Sequence, residues 1–274
     1  MGNLLIVSPY KLQGFVECPR WYYFEYLDET IGPYKKELRK PRSYFTVGDC
    51  VHKAINQYFS TPSVERSEAH AYQALESIWQ HYSGSSGGFT NSEEERLCYE
   101  EAKEMIGNFL KKQSDMPEPF YSPGMDRGGD MKKSEIDQDL VLQGKIDRVD
   151  RLSDELHIID YKTSKSEETD PFQIFAYGLL SEAAFKEDVS KVSYWYLRSN
   201  HLQTFLYGTK EREETFERIK TVVQQIRDEK EFTAKVGSRC YVCDYVNFCP
   251  EKEKVLAVIN KEKPREREIR NLPF

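Results

Sequence analysis

The stretch GKIDRVDRLSDELHIIDYKTSK, Gly144 to Lys165, carries Asp147, Asp160 and Lys162 inside what reads as a β-hairpin. The runs LVLQGKIDRVDRL and ELHIIDYKT alternate apolar and polar residues and meet at Ser153 and Asp154, which predicts two paired antiparallel strands. Carboxylates are poor strand formers, and two on neighbouring strands repel each other. A hard divalent cation between Asp147 and Asp160 would offset that repulsion, because such ions take oxygen donors. Lys162, two positions beyond Asp160, projects from the same face of its strand. Its ammonium could position a water or stabilise charge developing on a phosphate. Taken alone, D-x-K is more often the pattern of a structural salt-bridge ladder.

Further residues have chemistry of their own. In FQIFAY, Gln173 and Tyr177 are four apart and share one face of a predicted helix. An amide and a phenol there could hold a phosphate or order the lysine, and the same spacing suits a packed amphipathic helix. The six cysteines read as ligands or buried thiols, since a cytosolic chain sits in a reducing compartment. Cys240, Cys243 and Cys249 crowd into RCYVCDYVNFCP, while Cys18 stands alone in ECPRWYYFEYL. Cys50 and Cys98 have no such company and read as ordinary buried thiols.

These residues need elements to hold them. A helix is expected around SPYKLQGFVECPRWYYFEYL, interrupted or delimited by Pro19, and a second from VGDCVHKAINQYF. Helices follow from about 63 to 112, broken by the flexible stretch SGSSGGFTNS, and the loop SPGMDRGGD leads to the strands. Asp170 is a plausible N-cap, with Pro171 at the first helical position of the helix carrying Gln173. KVSYWYLRS and LQTFLYGT predict a second hairpin, and EREETFERIKTVVQQIRDEK a helix. At 274 residues, 39% hydrophobic and 13% aromatic, the chain can bury the core of one elaborated α/β domain. Apolar runs are too short to span a bilayer and the start lacks a basic flank, so a cytoplasmic protein without membrane association is expected. MGNLLIVS is too short a likeness to a myristoylation signal to change that. A net charge of −7 argues against a protein coated in basic surface, although KKELRKPR, 35–42, could contact phosphates or form a solvated loop.

GKIDRVD followed by IIDYKT and FQIFAY, with VGDCVH upstream, resembles the PD-(D/E)xK nucleases of the RecB and Cas-four group over nearly the whole chain. The resemblance implies a restriction-endonuclease-like core, a mixed central sheet flanked by helices, in a single domain over 1–274 with a mainly helical insertion at 53–130. It implies that Asp147, Asp160 and His52, in a G-x-x-x-H pattern from Gly48, are ligands to Mg²⁺ or Mn²⁺. Tyr161 would add its backbone carbonyl, Lys162 would be the catalytic lysine, and Gln173 and Tyr177 would form the Q-x-x-x-Y motif. It also implies that Cys18 completes a C-terminal cysteine cluster at 236–255, with Cys240, Cys243 and Cys249. Four thiolates suit a [4Fe-4S] cluster joining the N- and C-terminal segments, and structural zinc is the competing occupant.

The leading expectation is a metal-dependent DNA exonuclease acting on single strands or duplex ends. CRISPR adaptation, recombination and repair, or phage DNA processing would be its setting, with other CRISPR or repair proteins as partners. The alternative is a weakly active or non-catalytic DNA-binding or assembly subunit of a larger complex, since the chain has no helicase P-loop. The aromatic run Trp21, Tyr22, Tyr23 and Phe24 suits a core better than base stacking.

Overall fold

The computed structural model describes residues 4–125 and 131–261. The first predicted helix is two, α1 (Pro9–Glu17) and α2 (Pro19–Tyr26), divided at Cys18. Pro19 causes the division, because its ring disfavours α backbone at the preceding residue, and Cys18 is extended at φ −159°, ψ 100°. Cys18 closes one helix with its N–H on Gly14 and opens the next by accepting the Trp21 N–H on Sγ at 3.4 Å. Trp21, Tyr22 and Phe24 are buried, as a core role requires.

After a short α3 (Lys35–Leu38) come α4 (Ser43–Ser60), α5 (Glu68–Trp79) and α6 (Ser92–Gln113). Between the last two, the Gly/Ser stretch makes a 3-10 turn at Gly84–Gly87. Of the expected loop SPGMDRGGD, residues 126–130 lie outside the described residues, as do 1–3 of MGNLLIVS.

The hairpin expectation needs correcting in its first half. Strands β4 (Arg148–Leu152) and β5 (Glu155–Lys162) do pair antiparallel, turning at Ser153 with φ 57°. The residues before them, β3 (Leu140–Lys145), belong to another sheet, flanked by β1 (Leu5–Val7, parallel) and β2 (Met131–Asp137, antiparallel). Neither β1 nor β2 was expected. The chain passes from one sheet to the other across Ile146 and Asp147, which lie in no strand. Alternation records which face a residue points to, not which neighbour its backbone bonds, so one long run can hide two strands.

In the four-stranded sheet, order β4-β5-β6-β7, β6 (Val189–Tyr196) runs parallel to β5 and antiparallel to β7 (His201–Leu206), the second predicted hairpin. Parallel neighbours need a crossover, and α7 (Phe172–Phe185) supplies it. This helix starts one residue later than its proline suggests. Pro171 is the N-cap, and the Asp170 carboxylate accepts the Phe172 N–H at 3.0 Å. α8 (Thr209–Asp228) and α9 (Lys252–Lys261) complete the described elements. The mixed α/β expectation holds, with two mixed sheets in place of one central sheet.

β5 is buried on both faces. Leu156 and Ile158 join one core with Ile174, Tyr177 and Leu180 of α7, while Ile159 and Tyr161 join the other with Val51, Ile55 and Phe109 of the helical segment. β3 packs closely on α7, since a Cβ at Gly144 would lie 2.7 Å from the Tyr177 ring.

Also buried on β5 is His157, whose Nε2 lies 2.7 Å from Ser193 Oγ. Burial, then the charges of Lys191 and Arg148, lower its pKa to about 4. In an unfolded chain it titrates near ~6.5, so its contribution to stability is present above that value and lost as pH falls towards 4. His157→Gln should flatten the stability–pH profile between pH 6.5 and 4 by on the order of 2 kcal/mol in urea melts. An unchanged profile would count against a neutral buried ring.

Candidate active site

The alternation of β5 decides the geometry. Even positions face α7, so Asp160 and Lys162 point there, whereas the Tyr161 ring turns to Phe109 and Trp195 in the opposite core. Lys162 Nζ donates to Gln173 Oε1 at 2.7 Å and lies 3.0 Å from Asp160 Oδ2, and Gln173 Nε2 donates to Tyr177 OH at 3.3 Å. The spacing of four on α7 therefore orders the lysine through the amide. Asp147, at the passage between sheets, accepts the Tyr161 backbone N–H on Oδ2 at 3.0 Å. Its Oδ1 lies 3.0 Å from His52 Nδ1. Helix α4 comes this close because Gly48, one turn earlier on the His52 face, has no side chain: a Cβ there would sit 3.0 Å from Thr163 Oγ1.

His52, Asp147, Asp160, Tyr161, Lys162, Gln173 and Tyr177 thus line one cleft of about 430 Å³. Burial first, and then the charge of Asp147, push the Asp160 carboxyl up to about 6 against the pull of Lys162. For His52, burial opposes the charged ring, but the charge and hydrogen bond of Asp147 outweigh it and hold the imidazole above its ordinary value. Asp160 Oδ2 is buried and makes an ion pair but no hydrogen bond. Two oxygen-donor carboxylates, one of them undercompensated, beside an imidazole fit a hard divalent cation. Among the described residues no group of three or more His, Cys, Asp or Glu is arranged to hold a metal ion as it stands. His52 Nδ1 and Asp147 Oδ1 are engaged with each other, and Asp147 Oδ2 with the Tyr161 N–H.

The expected sulfur ligands gather elsewhere. Cys18, Cys240, Cys243 and Cys249 line one small apolar pocket with Trp21, Phe24 and Tyr245. Cys240 Sγ accepts the Gly237 N–H at 3.5 Å and Cys243 Sγ the Tyr245 N–H at 3.4 Å. Burial raises both thiols, Cys243 to about 12, with the neighbouring cysteines adding to the effect. The four thiols share this apolar pocket, but among the described residues they are not arranged as a metal-binding group as they stand. Cys50 and Cys98 are buried thiols, as expected, though Cys98 also touches the cleft.

Several residues in or beside the cleft carry no signal in the sequence. Glu168 lies 3.8 Å from Lys162, whose ammonium also sits 4.8 Å above the Tyr194 ring. Glu101 of α6 pairs with Lys165 at 3.3 Å and Arg198 at 3.0 Å, and these cations line the cleft with Lys145. In SKSEETD and EEAKE such residues look like any solvated charge run, and only the fold brings them together. The basic stretch 35–42 is partly engaged within the protein, Arg39 with Glu25 and Arg42 with Asp244.

The model of the PD-(D/E)XK nuclease superfamily matches residues 6–250. A search of curated proteins finds no match. Among solved structures, the crystal structure of SSO0001 is similar over 92% of this chain and 89% of its own, at 15% identity and a TM-score of 0.40. Among the described residues no helix is long and apolar enough to cross a membrane.

If the carboxylates bind a cation, Mn²⁺ should raise the melting temperature of the protein, and Asp147→Asn or Asp160→Asn should abolish that rise. The raised Asp160 pKa means that ionising it costs stability as pH climbs through about 6. In EDTA at pH 8, Asp160→Asn should therefore be more stable than the parent by on the order of 1 kcal/mol. A Mn²⁺-induced rise in both variants as large as in the parent would remove these residues from the site.

Proposed function

Because this chain belongs to the PD-(D/E)XK nuclease superfamily, we propose that it is a Mg²⁺- or Mn²⁺-dependent DNA nuclease hydrolysing phosphodiester bonds at the end of β5. One observation carries the reading: His52, Asp147, Asp160 and Lys162, drawn from a helix, a sheet junction and a central strand, meet in one cleft. The side chains of His52, Asp147 and Asp160, with the Tyr161 backbone carbonyl, would hold the cation, which when bound activates a water and offsets phosphate charge. Lys162 orients that water or meets negative charge developing on the phosphate. Gln173 fixes the ammonium from one side and Asp160 from another, and Tyr177 fixes Gln173. Lys145 lines the same cleft, with Lys165 and Arg198 held there by Glu101, and these cations lie where a substrate backbone would pass.

We take the substrate to be a single strand or a duplex end, cut as an exonuclease cuts. The helical insertion supports this, because α6 walls the cleft through Cys98 and Glu101, which favours a strand threaded in over a duplex laid across. The setting we propose is CRISPR adaptation, recombination and repair, or phage DNA processing, with partner proteins from those systems. We assign a [4Fe-4S] cluster to Cys18, Cys240, Cys243 and Cys249, whose shared pocket supports the grouping. The split arrangement favours iron over zinc. Closing the cluster ties α2 to the segment after α8.

Lys162→Ala should lower Mn²⁺-dependent degradation of labelled single-stranded DNA by about a hundredfold or more, while metal binding persists. Equal degradation by the variant would remove the site. Anaerobically purified protein should be brown with about four irons per chain, and Cys18→Ala should lose the colour and become protease-sensitive near α1. Stoichiometric zinc without iron would overturn the cluster and leave the nuclease assignment intact.

A further inference from the structure

Phe45, at the start of α4, lines the active cleft on one side and a second pocket of about 330 Å³ on the other. The second pocket lies between α1, α2, the segment leading into α4, and the chain around Asp244. It also borders the cysteine pocket, sharing Trp21 and Tyr245 with it. Its lining alternates flat rings and cations: Tyr10, Trp21 and Phe45 with Arg39, Lys40, Arg42 and Arg239. Tyr10 is 49% and Phe45 43% exposed, the Tyr10 ring edge-on to Trp21 at 5.6 Å and the Phe45 ring 4.6 Å from that of Tyr44. The Arg239 guanidinium lies 3.6 Å from the Trp21 ring centroid and 5.4 Å from that of Tyr10, and Arg42 lies 5.9 Å from that of Phe45.

Charge in this region opposes the charge of the whole. The stretch KKELRKPR sets five cations against one carboxylate in a protein of net charge −7. Glu25 and Asp244, the pocket's two carboxylates, are already taken by Arg39 and Arg42, and Arg239 by Glu17 outside it. Lys40 is exposed, and among the described residues its ammonium makes no hydrogen bond or ion pair. Cations interleaved with exposed rings match a single nucleic-acid strand, whose phosphates need charge and whose unpaired bases offer a face to stack. A duplex hides those faces, and an acidic peptide has no use for the rings.

We propose that this pocket is a subsite for the stretch of single-stranded DNA that runs out of the active cleft past Phe45. Phosphates meet Lys40, Arg39 and Arg42, and bases stack on Phe45 and Tyr10. The subsite rests on the nuclease reading for its strand, and it gives the cysteine module a place in substrate binding, because Val242, Asp244 and Tyr245 form one of its walls.

Binding of fluorescein-labelled oligo(dT) of about 12 nucleotides, followed by anisotropy in EDTA, tests it without cleavage. Lys40→Ala should flatten the salt dependence of log K by about 0.7, and Lys40→Ala with Phe45→Ala should weaken binding about tenfold. Parent affinity and salt slope in the double variant would overturn the subsite, as would an equal loss with a blunt duplex. If the strand binds and the variants weaken it but the parent cuts nothing with any metal, the nuclease reading falls and the subsite stands.

Discussion

The arrangement hinges on one hydrogen bond, from the Tyr161 backbone N–H to the Asp147 carboxylate. The β4–β5 ladder ends at the pair Arg148–Ile159, so the edge of β5 beyond it has no strand on that side. A buried N–H left there unpaired would cost about 1–3 kcal/mol. The Asp147 side chain takes the place of the missing strand at the point where the backbone departs for the other sheet. A carboxylate is thereby fixed beside Asp160, and the residue that completes the sheet also lines the candidate cleft. His52 closes the other side of the same carboxylate, coupling α4 to the junction.

The site was legible in the sequence where its relations are short and periodic. Asp160 and Lys162 share a face because they are two apart on a strand, Gln173 and Tyr177 because they are four apart on a helix, and Gly48 and His52 for the same reason. What could not be read depends on partners distant in the chain. Arg148, in IDRVDR, looks like a solvated charge, yet it is fully buried beside Asp150 at 2.6 Å. The cause is the segment after α6: the Pro117 carbonyl accepts from the guanidinium and Tyr121 bridges Val149, covering what would otherwise be an exposed edge. The sheet switch at Ile146 and Asp147 was hidden for a similar reason. β1 and β2, which claim β3 for their own sheet, are respectively three residues long and nearly devoid of apolar alternation.

Cys18 illustrates how one residue serves several levels of structure. Its place before proline makes it a helix boundary, its sulfur caps α2, and its burial sets it in the pocket of the C-terminal cysteines. Trp21, one turn on, presents one part of its ring system to that pocket and another to Arg239. A ring against Gly14, where a Cβ would fall 2.2 Å from it, leaves Trp21 little freedom to move. The region around the sulfurs and the cationic pocket therefore share a rigid wall.

The parallel pairing of β1 with β3 has a consequence for biosynthesis. Leu5 meets Leu140, so the strand partner is made roughly 135 residues later. At a ribosome adding ~5–20 residues per second, the segment Leu5–Val7 waits on the order of ten seconds for it. The four-stranded sheet is later still, because β5 lies between β4 and β6 and cannot be enclosed before residue 196 has emerged. The helices α4 to α6, whose mutual contacts are local, are complete well before either sheet closes. On this timing the helical assembly precedes both sheets, and Asp147 and Asp160 can be brought together only once β5 has been made.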